Sequence, residues 1–152
     1  YPNTSNPMPA GGLETSAREY AGFLLKYARG NILSATSMHA QAQDYTPTDL
    51  IVMNPEENPV DRAAYTIRTR LHWHYGLGLW RECYSNSFSS RCATRPQISS
   101  AGAHGFFPFY DAHFDVWGVI ARDAGLLSGR AAPFDSARLA YDLRTSLGKK
   151  PD

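Results

Sequence analysis

From Arg68 to Trp80 the chain alternates so regularly that few backbone conformations can use it. Leu71, Trp73, Tyr75, Leu77 and Leu79 fall on one face of an extended chain; His72, His74, Gly76 and Gly78 fall on the other. A period of two marks a strand with one buried face, and it predicts a strand across Arg68 to Trp80. Two glycines on the second face let a helix or a neighbouring backbone come very close. Such a strand needs sheet partners to bury its apolar row. Gln97 to Phe109 and Val116 to Arg122 read as those partners, joined by a turn around Asp111 to Asp115. Connections this short imply antiparallel neighbours, with Arg68–Trp80 beside Gln97–Phe109.

Helical signals lie on either side. Ser16-Ala17-Arg18-Glu19 is a capping box, and Tyr20, Phe23, Leu24 and Tyr27 follow at helical spacing until Gly30. Ser34 caps a shorter helix running to about Gln43, closed by Thr46-Pro47. Asn54-Pro55 and Asn58-Pro59 break regular structure between these helices and the strands. Pro133 precedes a last helix, capped by Asp135 or Ser136, with Leu139, Leu143 and Leu147 on one side and Gly148 at its end. Residues 1–12 carry three prolines and two glycines and read as an irregular segment. The fold class expected is α/β, an antiparallel sheet flanked by helices. At 152 residues the chain is one domain or part of one.

Composition removes several function classes. Fifteen Lys and Arg against fourteen Asp and Glu leave a net charge of +1, without the basic footprint of a nucleic-acid binder. No apolar run approaches the roughly 20 residues of a spanning helix, so no membrane span is expected. No phosphate-binding loop is present, since Gly76-Leu77-Gly78 lacks the third glycine of a dinucleotide fingerprint, and no cofactor is expected. His72 and His74 with Cys83 and Cys92 could be imagined as a zinc set, but the cysteines lack the close spacing of structural zinc sites, and no metal is expected. Cys83 and Cys92 bracket eight residues, "YSNSFSSR". Either they form a disulfide, worth about 2–3 kcal/mol in the chain-entropy model, or they are reduced, buried thiols. The bridge would place the chain in a secreted, periplasmic or organelle-lumen setting. There the sequon Asn3-Thr4-Ser5 would also matter as a glycosylation site.

The stretch "SSAGAHGFFPFYD", residues 99–111, sets small residues directly before a highly aromatic run. Glycine inside a strand often marks close approach of a ligand or another backbone. Together with "NPMPAGGLETSAREYAGFLLKYARGNILS", "HYGLGLW" and the continuation to "WGVIAR", it resembles the C-terminal part of the serine β-lactamase-like hydrolases. That superfamily includes class C β-lactamases, penicillin-binding proteins and related esterases. The resemblance spans Asn6 to about Leu147.

The resemblance implies that Ser100-Ala101-Gly102 stands where the family carries a Lys-Thr-Gly or His-Ser-Gly triad. Gly102 would then let the strand lie against an acyl substrate, and the backbone amide of Ala103 would be half of an oxyanion hole. Such an amide is worth roughly 3–4 kcal/mol in the transition state. Ser99, Ser100, Ala101, Gly102 and His104 would line the substrate wall. Ser100 and Ala101 depart from the cationic and hydroxyl-bearing residues usual there. The family's Ser-x-x-Lys nucleophile and Tyr-x-Asn motif lie upstream of the matched region. Ser146-Leu147-Gly148-Lys149 and Tyr1-Pro2-Asn3 imitate them only in spacing. The expected partners are therefore an upstream β-lactamase-like segment carrying Ser-x-x-Lys, from the same precursor or a separate chain, and a small acyl substrate. The chain alone is not expected to be active. The alternative is a non-catalytic structural or interaction subunit.

Overall fold

A computed structural model describes residues 13–46, 73–85, 87–124 and 132–151. Within them β1 (His74–Tyr75), β2 (Trp80–Glu82), β3 (Gln97–Ser99), β4 (Phe107–Asp111) and β5 (Val116–Ile120) form an antiparallel meander, each strand beside the next in sequence. Four helices among the described residues accompany the sheet: α1 (Ala17–Ala28), α2 (Ala35–Gln41), α3 (Ser90–Thr94) and α4 (Ala132–Ser146). The α/β class and the antiparallel sheet are as the sequence predicts. Its irregular start, with Asn3, and residues 47–72, with the two Asn-Pro steps and His72, lie outside the described residues.

Strand boundaries differ from expectation in two places, and glycine is the cause of both. The described part of the alternating stretch, from Trp73 on, is a hairpin, not one strand: His74 pairs with Arg81 and Tyr75 with Trp80. Gly76 N–H donates to the Leu79 carbonyl at 2.8 Å, and Gly78 sits at φ +75°, a conformation that L side chains rarely adopt. The close approach expected of these glycines is present, because a Cβ on Gly76 would overlap the Gln41 carbonyl oxygen at the end of α2. Likewise Gln97 to Phe109 is two strands, β3 and β4, with a tight connection across residues 100–106. No helix interrupts it. β2 lies beside β3 in the register Trp80↔Ser99, and β4 beside β5 in the register Phe107↔Ile120.

Alternation then sorts the sheet into two faces. Ile98 and Tyr110 meet Tyr27 of α1 and Met38 and Ala42 of α2, with Leu79 beside them. Helix α1 starts on the predicted capping box: Glu19 N–H donates to Ser16 Oγ at 3.2 Å, and Ser16 N–H to Glu19 Oε2 at 3.0 Å. On the opposite face Trp73, Phe107 and Phe109 pack against Ala137 and Ala140 of α4. This helix begins at Ala132, so Pro133 lies in its first turn, where a missing N–H is tolerated, and Asp135 and Ser136 lie inside it. Its leucines point away from the sheet: Leu139, Leu143 and Leu147 are 53%, 44% and 58% exposed. Small residues face inward instead, because the aromatic rings of β4 already fill the space beneath the helix.

Cys83, just after β2, and Cys92, in α3, form a disulfide with Cα atoms 5.5 Å apart, both buried. The bridge removes both thiolates from any zinc set. No helix of the described residues is long and apolar enough to cross a membrane.

Candidate functional site around the β3–β4 connection

The residues singled out by the sequence lie at the end of β3 and in the turn that follows. Ser99 is the last residue of β3, with its Oγ buried on the α4 side and without a hydrogen-bond partner among the described residues. Ser100 N–H donates to the Pro108 carbonyl at 3.1 Å. Pro108 has no N–H to return, so the ladder ends there. Gly102 N–H donates to Phe106 O, and Gly105 N–H to Gly102 O, each at 2.9 Å, closing a turn over Ala103 and His104. A Cβ on Gly102 would stand 2.8 Å from the Phe106 carbonyl oxygen, so opposing backbone occupies the space beside this glycine.

Ala103, at the exposed tip, makes no backbone hydrogen bond through its amide among the described residues. His104 is directed to Asp123, Nδ1 to Oδ1 at 3.0 Å, with both side chains largely exposed. Gly105 holds φ +90°, and the first turn of α4 crowds it: Ser136 Oγ donates to the Gly105 carbonyl at 2.6 Å. The tip is thus tied to α4.

A cavity of about 180 Å³ opens on the α1 side, lined by Ser99 and Ser100 together with Tyr20, Phe23, Tyr27 and Pro108. Ala101, Gly102, Ala103 and His104 are not part of its wall, and Ala101 packs against the core on the α4 side. Burial pushes the Tyr20 and Tyr27 phenols above their ordinary values, so both stay protonated at neutral pH. Tyr27 Oη donates a hydrogen bond to Gln41 Oε1 at 2.9 Å.

Beneath β3, on the α4 side, lies a polar cluster that sequence reasoning missed. Arg144 Nη2 donates to Glu82 Oε2 at 2.7 Å with both side chains fully buried, and Tyr84 Oη donates to the same carboxylate at 3.0 Å. Burial opposes the Arg144 charge, but Glu82, Tyr84 and Asp111 outweigh it and hold the proton more firmly than in water. Asp111 Oδ1 accepts from the amides of His113 and Phe114 at 3.0 and 3.1 Å, which builds the β4–β5 turn. Its Oδ2 and the Gln97 side-chain amide have no partner among the described residues.

On the α2 side, His74 Nδ1 is hydrogen-bonded to Asp44 Oδ2, and its ring stacks on Phe88 at 3.7 Å between centroids. Thirty residues separate His74 from Asp44, and 62 separate Glu82 from Arg144. Neither pair has a spacing signal. A buried-position argument on the alternating β2 stretch could have flagged Arg81 and Glu82 alone.

In comparisons with known proteins, no family model, no curated protein and no solved structure matches this chain.

Proposed function

We propose that this chain is the C-terminal portion of a serine β-lactamase-like hydrolase. The observation that carries the reading is that the end of β3, at Ser99 and Ser100, lines a cavity walled by α1, although the Ser99 hydroxyl itself is buried on the opposite face. In this role the end of β3 forms the substrate wall, and the Ala103 amide donates to the oxyanion. A serine on an upstream segment, in the same precursor or a separate chain, attacks the carbonyl carbon of an ester, amide or lactam. The alcohol or amine leaves, and water then releases the acid from the acyl-serine. The meander with helices on both faces and the resemblance of residues 6–147 support this assignment. The Cys83–Cys92 disulfide supports an oxidising compartment, whether secreted, periplasmic or an organelle lumen.

A second reading is a non-catalytic structural or interaction subunit. One observation favours it: the space beside Gly102 is taken by the Phe106 backbone rather than left open to a ligand. Native purification with intact-mass measurement separates the two. A hydrolase requires this sequence to be recovered with, or within, a polypeptide carrying Ser-x-x-Lys; recovery of this sequence with no such segment contradicts the hydrolase.

A further inference from the structure

We propose that the cavity between α2, β2 and α3 binds a small carboxylate with an apolar or aromatic body, received by Arg81. The inference is independent of the hydrolase reading. Two arginines among the described residues are buried, one on each side of the sheet: Arg81 in β2 and Arg144 in α4. Arg144 has its anion within the protein, in Glu82. Arg81, only 4% exposed, pairs with no carboxylate among the described residues.

Arg81 Nη2 donates to the carbonyls of Cys92 and Ala93 at 3.3 and 2.8 Å, and the guanidinium stands 5.3 Å from the centre of the Phe88 ring. Its Nε is buried and has no acceptor among the described residues. Burial pushes the Arg81 guanidinium below its ordinary value, opposed only in part by Asp44, whose carboxylate is engaged with His74. A buried charge without a hydrogen-bonded counter-charge is costly. The disulfide next to the two accepting carbonyls fixes the guanidinium in place, so it is preorganised for an anion.

Arg81 lines a cavity of about 470 Å³, the size of an ordinary small-molecule site. Met38, Ile98, Tyr27 and Tyr110 supply apolar wall, Thr94 and Gln43 supply hydrogen-bonding groups, and among the described residues no Asp or Glu lines it. A carboxylate facing Arg81 with a flat apolar body against those rings satisfies both halves of the site.

The test is a ¹⁵N NMR titration of the disulfide-intact chain with benzoate, with neutral benzamide, and with inorganic phosphate. Benzoate should shift the amides of Gln43, Ala93 and Thr94 saturably and bind roughly tenfold or more tighter than benzamide. Arg81→Met should abolish the difference. Ala112→Trp, at the exposed edge of the cavity, should block benzoate while leaving the Arg81 contacts intact, and it decides the matter if Arg81→Met does not fold. Equal responses to benzoate and benzamide, no saturable shift, undiminished binding in Ala112→Trp, or binding of phosphate in place of benzoate would each overturn the proposal.

Discussion

Asp111 and Arg144 lie on the same buried face, yet their charges are supported unequally. Arg144 has a carboxylate, a phenol and an aromatic face around it. Asp111 has two amides on one oxygen and nothing on the other among the described residues. Burial therefore pushes its carboxyl above the ordinary range, opposed only in part by the Phe114 and His113 amides and by Arg144. The sign for stability follows. The unfolded carboxyl titrates near about 3.9, so the folded chain keeps this proton to higher pH than the unfolded chain. The contribution is fully present below about pH 4 and is lost as pH rises through the raised folded value. Asp111→Asn keeps the acceptor for both amides and removes the titration. Urea unfolding should show the variant gaining on the parent between pH 4 and 7, whereas a difference independent of pH would contradict the assignment.

Among the elements, the β3–β4 hairpin shows why boundaries were harder to read than identities. Aromatic residues from Phe106 to Tyr110 were legible as strand, and the caps of α1 and α2 named their own first turns. The turn at Gly102 was not legible, because glycine serves equally for a ligand's approach and for a chain reversal. At Gly105 the requirement is conformational, with φ +90° and the Ala132 Cβ 3.1 Å from where a new Cβ would lie. Gly105→Ala should cost about 1–3 kcal/mol. Gly22, in α1, has nothing within 4 Å of such a Cβ, so Gly22→Ala should add about 0.5–1 kcal/mol. Thermal melts of the two variants moving in the same direction would refute this reading of the turn. Helix α4 is legible as a helix, but its buried face is not, for another reason. Its leucine spacing is regular, but a sheet face already filled by Trp73, Phe107 and Phe109 accepts only Ala137, Ala140 and the length of Arg144.

Across the whole molecule, the sheet and its two helical layers follow from local signals, while the polar chemistry depends on contacts that only the fold creates. Cys83 and Cys92 were a legible pair, nine positions apart and bridged. Arg81 with the Ala93 carbonyl, His74 with Asp44, and Glu82 with Arg144 come together because the meander brings β2 beside α3 and α4, and β1 beside the segment that follows α2. The candidate site is intermediate: Ser99 and Ser100 reach a cavity, Ala103 caps an exposed turn, and Gly102 is committed to the hairpin. Whether these parts act on an acyl group is decided by chemistry at a serine. The direct measurement treats this chain, together with the upstream segment proposed above, with p-nitrophenyl acetate and a fluorophosphonate probe, then maps the label by peptide mass spectrometry. The account predicts ester turnover and a single labelled serine in a Ser-x-x-Lys sequence, both lost when that serine is replaced by alanine. No turnover and no labelled serine, in a preparation shown to contain that segment, would contradict it.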